Sequence, residues 1–142
     1  HPRYVANYID VLNAPLYPFG YGLSYTTYTY GDVAWKTKSM DANGKIQASV
    51  IVTNTGAQDG EEIVQLYLRD IVRSITPPVQ ELKGFKRVAL KAGESKKVAF
   101  DIDVDMVKFY DSTLDYVAEP GEFQVMIGGN SKEVKTASFT LK

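Results

Sequence analysis

Three aspartates have the spacing of a calcium-binding loop. Asp101, Asp103 and Asp105 occupy alternate positions, as the first three ligand positions of a helix–loop–helix calcium site do. Such a loop also needs glycine at its sixth position and glutamate at its twelfth, where this sequence has Met106 and Ser112. The apolar residues between the aspartates instead indicate the end of a strand whose carboxylates face water. We therefore predict no metal site.

Six glutamates could supply the carboxyl pair that hydrolyses a glycosidic bond. Such a pair must lie about 5 to 9 Å apart across the sugar. The candidates are Glu61, Glu62, Glu81, Glu119, Glu122 and Glu133. All of them lie beside turns or alternate with apolar positions, where a glutamate is usually solvated surface charge. We predict that the chain has no catalytic residues of its own.

The remaining residue types exclude several further kinds of site. The only histidine is His1 and there is no cysteine, so a Ser-His-Asp triad, a thiolate metal site and a disulfide are excluded. Gly20, Gly22, Gly128 and Gly129 lack the lysine and the strand–glycine–helix order of a phosphate loop. We therefore predict no cofactor.

The charge balance and the hydropathy exclude two classes of partner. Sixteen basic and seventeen acidic residues give a net charge of −1, without the basic excess of a nucleic-acid-binding protein. No apolar run approaches the ~18 residues that cross a membrane, and no signal peptide is recognisable. We expect neither nucleic acid nor membrane as a partner.

Six aromatic residues fall within fourteen positions near the start of the chain. They are Tyr17, Phe19, Tyr21, Tyr25, Tyr28 and Tyr30. Such a cluster is either a platform that stacks on sugar rings or a surface that packs against a neighbouring domain, since aromatic residues with polar tips suit partly wet interfaces. The prolines and glycines among them favour a rigid connector. We therefore predict Tyr17, Phe19, Tyr21 and Tyr25 as interdomain contacts, with weak sugar contact as the alternative.

Alternating apolar residues predict seven or so short strands after Ser24. One face of each strand is expected to enter the core: Ile46, Ala48, Val50 and Val52; Val64, Leu66 and Leu68; Val98, Phe100 and Ile102; Phe123, Val125 and Ile127. Turn signals such as Asn54-Thr55-Gly56 separate them, which is typical of an antiparallel β-sandwich. A short helix is also predicted at residues 3–12, and a helical stretch short enough to be a single turn joining two strands is predicted within residues 104–110.

An ordered series of motifs resembles one known domain. Residues 16–27, LYPFGYGLSYTT, are similar to the linker that enters the last domain of family 3 glycoside hydrolases, the bacterial β-glucosidases and β-xylosidases. The likeness covers essentially the whole chain in order and is closest to the periplasmic β-glucosidases. It continues through VTNTG (52–56), VQLYL (64–68), ELKGF (81–85), LKAGE (90–94), EPGEF (119–123) and IGGNS (127–131).

The resemblance implies a fold and a domain division. Residues 25–142 are expected to form an immunoglobulin/fibronectin-III-like antiparallel β-sandwich, and residues 1–24 to be the tail or linker of a preceding α/β domain. We expect Pro18 to Tyr25 to lie against the sandwich. Residues 1–13 are expected to contact another chain or to be mobile.

The resemblance also implies an accessory role. In that family a barrel carries the aspartate nucleophile and an α/β sandwich often supplies the acid/base, and neither motif is present here. The implied role is that of a non-catalytic C-terminal scaffold beside the catalytic domains of the same polypeptide, which would meet carbohydrate only through them. The parent would be a periplasmic or secreted retaining enzyme that removes terminal β-linked glucose or xylose from oligosaccharides and β-glycosides.

Two other functions stay open at this stage. One is an independent carbohydrate-binding module that uses the aromatic cluster, and a weaker one is an adhesion-type domain that binds protein. A homo-oligomer is also compatible with the resemblance. The sequence does not specify the sugar or the linkage that the parent would recognise.

Overall fold

The computed structural model describes residues 14–72, 74–75 and 78–142, and its regular structure is almost entirely strand. The strands are β1 (Tyr28–Tyr30), β2 (Ala34–Trp35), β3 (Ser39–Met40), β4 (Lys45–Asn54), β5 (Gly60–Asp70), β6 (Glu81–Leu90), β7 (Ser95–Asp103), β8 (Phe109–Tyr110), β9 (Tyr116–Val117), β10 (Gly121–Gly128) and β11 (Val134–Leu141). One turn of 3₁₀ helix, Val104–Met106, follows β7.

Two sheets and a small ribbon contain these strands. In the first sheet β4 pairs with β7 along one edge and with β1 and then β2 along the other. The second sheet has the order β3-β11-β10-β5-β6, and all its pairs are antiparallel except β3 with β11. Strands β8 and β9 form the separate ribbon. The predicted antiparallel β-sandwich is confirmed.

The core lies between the inward faces of the two sheets. All thirteen side chains predicted to enter it are buried, so the alternation assigned the faces correctly. The Phe123 and Phe139 rings stack with their centroids 5.3 Å apart, and Trp35 lies 5.8 Å from Phe139. Aromatic contacts therefore join side chains of both sheets.

Two lysines close the open side of the sandwich between β6 and β7. The Lys86 ammonium donates to the Ala99 carbonyl (2.5 Å), and the Lys96 ammonium donates to the Ala89 carbonyl (2.6 Å). Each lysine thus reaches from one sheet to the backbone of an edge strand in the other. Lysines on edge strands also discourage pairing with another chain.

The single helical turn predicted within residues 104–110 is present at the start of that range. Only Val104–Met106 is helical, and the Asp103 carboxylate caps it by accepting from the Met106 amide (3.3 Å). Beyond it, Phe109 is buried and Tyr110 pairs with Tyr116 across the ribbon, so tertiary contacts override the local pattern. The helix predicted at residues 3–12 lies outside the described residues.

Truncating Phe123 to alanine should lower the free energy of unfolding by about 3–5 kcal/mol, because it leaves a cavity in the core. Phe123 is 1% exposed, whereas Phe85 is 66% exposed and provides a matched control. Phe85→Ala should cost less than about 1 kcal/mol. Urea denaturation of both variants measures the difference, and equal losses would mean that the two faces have been assigned incorrectly.

Candidate interdomain site

The connecting segment, residues 14–24, lies across the outward face of β5 and is held there through its backbone. The Phe19 carbonyl accepts from the Ser131 amide (2.8 Å) and from the Tyr67 hydroxyl (3.5 Å). The Gly20 carbonyl accepts from the Gln65 side-chain amide (3.0 Å). Because these contacts use main-chain oxygens, they fix the path of the segment and leave its side chains available.

Gln65 and Tyr67 form the base of this attachment. Both point outward from β5, yet both are buried, since the segment and the loop after β10 cover them. The Gln65 amide also donates to the Gly129 carbonyl (2.6 Å), and its oxygen accepts from the Tyr67 hydroxyl (2.5 Å). The polar atoms of this buried pair are thereby satisfied.

The turn at Pro18–Tyr21 requires glycine. The Tyr21 amide donates to the Pro18 carbonyl (3.1 Å), and Gly20 has φ +78°, as the third position of a type II turn demands. A Cβ on Gly20 would lie 2.0 Å from the Gln65 side-chain oxygen. Glycine therefore serves both the backbone conformation and the close approach of the segment to β5.

Three of the four predicted contact residues make ring contacts, two with each other and one with β5. Tyr17 and Tyr21 stack with their centroids 5.2 Å apart, and Phe19 meets Tyr67 edge to face at 6.4 Å. All three keep large exposed areas. Tyr25 is 98% exposed and is not part of this group. Whether these four residues act as contacts stays a prediction.

The expected packing of Pro18 to Tyr25 against the sandwich is confirmed only near Phe19 and Gly20. Leu23 and Tyr25 are almost fully exposed. Residues 1–13, for which contact with another chain or mobility is expected, lie outside the described residues. The division of the chain between residues 24 and 25 also stays a prediction.

A cleft of about 790 Å³ lies between the connecting segment and the adjoining ends of β1 and β5. In it the Tyr30 hydroxyl donates to the half-buried Glu62 carboxylate (2.6 Å). Burial raises the pKa of Glu62, and burial together with the neighbouring carboxylate raises the pKa of Tyr30. Tyr30 therefore stays a proton donor, and the pair links the two sheets.

Four of the six glutamates considered as a catalytic pair are poorly placed to act on one sugar, whereas Glu133 lines the same cleft as Glu62 and accepts from the Asn130 amide (3.1 Å). Glu61 and Glu62 are consecutive in β5, so their side chains leave opposite faces, and Glu61 pairs with Arg87 (2.8 Å). Glu81 and Glu122 lie at the other end of the second sheet, about 20 Å along the strands. This distance exceeds the spacing that glycoside hydrolysis needs.

Each of the three aspartates with calcium-loop spacing has a protein partner. Asp101 accepts from the Gln47 amide (2.7 Å), Asp103 caps the 3₁₀ turn, and Asp105 pairs with Lys108 (2.6 Å). Among the described residues, no group of three or more acidic or histidine side chains could hold a metal ion. No helix in the described ranges is long and apolar enough to cross a membrane.

Sequence reasoning missed Gln65, Tyr67 and Glu62 as parts of the site. Alternation places Gln65 and Tyr67 outward, where polar-tipped side chains normally meet water, and nothing local signals that they are covered. The Gly20 carbonyl that Gln65 binds is 45 residues away in the chain. Contacts at that separation are set by the fold and leave no trace in a local pattern.

Gly20→Ala should release the connecting segment from β5, because alanine is strained at this φ and its Cβ would meet Gln65. Chymotrypsin cleavage after Phe19 or Tyr21 should then accelerate about tenfold or more, since cleavage follows the population of the open form. Gly22→Ala is the matched control, because a Cβ there meets no atom within 4 Å. Equal cleavage rates in both variants would contradict this attachment.

Glu62→Gln should stabilise the chain at neutral pH. The folded pKa of Glu62 is raised, so the folded state binds its proton more tightly and the buried carboxylate destabilises the fold above that pKa. The advantage of the glutamine should shrink as pH falls through the raised pKa of the native carboxyl toward the ordinary value of 4.5, because the folded state takes up its proton first. Urea denaturation of both proteins between pH 4 and 8 measures this trend. An advantage that grows toward acid would contradict it, and Tyr30→Phe should have the opposite effect at neutral pH by removing the donor.

The chain is similar in sequence to a known domain family and to several known proteins. The fibronectin type III-like domain family matches residues 62–131. The chain is 50% identical over 139 residues to the periplasmic β-glucosidase of Salmonella typhimurium, covering 98% of this chain and 18% of that protein. A putative β-xylosidase of Formosa agariphila is 43% identical over 140 residues, covering 99% of this chain and 18% of that protein.

Solved structures of two β-glucosidases contain a region with the same fold. A β-glucosidase from Erythrobacter marinus superposes with a TM-score of 0.91 at 36% identity, over 96% of this chain and 18% of that one. The β-glucosidase from Listeria innocua in complex with gluconolactone gives 0.89 at 37% identity, over 98% of this chain and 19% of that one. The chain thus spans less than a fifth of each of these relatives. The resemblance found in the sequence is confirmed: the chain belongs to the fibronectin type III-like domains and matches one small part of each of these β-glucosidases and β-xylosidases.

Proposed function

We propose that this domain is a non-catalytic brace whose connecting segment fixes its position against the catalytic part of the parent enzyme. The observation that carries the proposal is the attachment of that segment to β5. Its backbone is bound by Gln65, Tyr67 and Ser131, while the aromatic side chains of Tyr17, Phe19 and Tyr21 face outward. A connecting segment that is bound to one domain and presents aromatic side chains to another suits a rigid junction between domains.

The parent enzyme would hydrolyse terminal β-linked glucose or xylose. This part of the proposal is supported by the names of the relatives, which are β-glucosidases and β-xylosidases, and by the share of their length that lies outside the match. The periplasmic location of the Salmonella relative supports a periplasmic or secreted parent. The domain itself would meet carbohydrate only through the catalytic part.

The same observation weighs against an independent carbohydrate-binding module. Sugar-stacking platforms need aromatic faces that are open to the ligand. Here Tyr17 and Tyr21 stack on each other, and Phe19 packs against Tyr67. Tyr25, directly after the connecting segment, has an open ring, and a single exposed tyrosine offers little affinity for a sugar.

The purified chain should show no turnover of aryl β-glucosides or β-xylosides, whereas the full-length parent should hydrolyse at least one of them. Cello-oligosaccharides should bind the chain with a Kd weaker than about 1 mM, which corresponds to about −4 kcal/mol. Enzyme assays and titration calorimetry test both statements. Turnover that scales with the purified chain would contradict the proposal. Tighter sugar binding that Tyr17→Ala or Tyr21→Ala abolishes would favour the binding module.

A further inference from the structure

A row of apolar side chains stays exposed on the outward face of β5 and β6, beside the connecting segment. Directly opposed residues of an antiparallel pair lie on the same face. Phe85 opposes Gln65 and Leu82 opposes Tyr67, so both point outward, as Ile63 does. Phe85 is 66% exposed, and Ile63 and Leu82 are exposed as well.

A β-bulge puts Leu82 on this face. The pairing of β5 with β6 steps from Leu66–Gly84 to Tyr67–Leu82, which leaves Lys83 as the extra residue. In regular pairing Lys83 would oppose Tyr67 and face outward, and Leu82 would turn toward the core. The bulge instead turns Leu82 outward and lets Lys83 pair with Glu81 (2.7 Å). Bulges commonly re-aim a side chain in this way, and here the re-aimed residue is apolar.

The row is continuous with the connecting segment. Gln65, which lies next to Phe85, binds the Gly20 carbonyl. Tyr67, which lies next to Leu82, makes an edge-to-face contact with the Phe19 ring. We define the outer apolar face as Phe19, Ile63, Leu82 and Phe85. At its margin Arg87 pairs with Glu61 (2.8 Å). An apolar centre with a charged rim is the usual anatomy of a protein interface.

We propose that the outer apolar face is the surface on which the catalytic part of the parent enzyme packs. This rests on the proposed function and goes further, since it assigns the contact to β5 and β6 as well as to the connecting segment. Two observations favour this occupant. The matched relatives have more than four-fifths of their length outside the region that this chain covers. The connecting segment also enters the sandwich across this same face, so the preceding part of the parent is brought to it.

Hydroxyl-radical footprinting of the isolated chain and of the full-length parent tests this assignment. Tyr110 is the matched reference, because it is 62% exposed and lies on the β8–β9 ribbon, which is not part of the sheet that contains β5 and β6. The labelling of Phe85 relative to Tyr110 should fall about tenfold in the parent. An unchanged ratio would overturn the proposal. A ratio that is already low in the isolated chain and rises on dilution would also overturn it, because the occupant would then be a second copy.

Phe85→Thr provides an independent measurement, since threonine keeps the β-propensity of the position. The melting temperature of the isolated chain should not change. In the parent, the half-life of activity at a denaturing temperature should shorten about tenfold with Phe85→Thr and should not change with Tyr110→Thr. Equal effects of the two variants would overturn the assignment. A parent without glycosidase activity would contradict the proposed function but leave the labelling ratio readable, so the two failures are distinguishable.

Discussion

The buried side chain of Asn54 holds the ends of several strands together, and the rest of the sandwich depends on it. Asn54 is 0% exposed at the end of β4. Its amide oxygen accepts from the Thr26 hydroxyl (2.6 Å) and the Gly56 amide (3.1 Å), and its amide nitrogen donates to the carbonyls of Gln58 (2.7 Å) and Leu90 (3.1 Å). This uses both donors and both acceptor sites of the group. Because a buried amide without partners is costly, all of these backbone segments must converge for Asn54 to be satisfied.

This convergence fixes both ends of the part of the chain that enters the sandwich. Thr26, two residues after the connecting segment, is bound to Asn54, and Gly20 within the segment is bound to Gln65. The chain between Gly20 and Thr26 is therefore pinned at two points on the domain. The turn after β4 is adapted to the same contact, since a Cβ on Gly56 would lie 2.1 Å from the Thr26 hydroxyl. A domain attached through such a short, pinned stretch is held in a defined orientation, which suits a brace better than a freely tethered module.

The sequence predicts the core more fully than it predicts the site, and the reason is physical. Burial of alternate residues is a local property of a strand, so alternation identified Phe100 and Phe123 correctly. The local sequence indicates only a turn at Asn54, as asparagine at a strand end usually does, whereas its partners Thr26 and Leu90 are 28 and 36 residues away. Polar groups are satisfied by whatever the fold brings near, and a local pattern carries no record of it. The aromatic segment was found by its composition, but composition did not separate Tyr25 from the rest.

The core and the outer apolar face are the two sides of the same pair of strands, so a single register decides both. Along β5, Val64 and Leu66 enter the core while Gln65 and Tyr67 face outward. A shift of one residue would exchange these sets, placing polar groups in the core and destroying the attachment of the connecting segment. The register of β5 with β6 is anchored where Leu90 pairs with Gly60, and the Leu90 carbonyl is one of the acceptors of Asn54. The Asn54 side chain thus fixes one end of β6. The pairing of β6 with β5 runs from that end to Phe85 and, past the bulge, to Leu82, so Asn54 also affects the position of the outer apolar face. The register that forms the core therefore also places the side chains of the outer apolar face, so both are set when the domain folds.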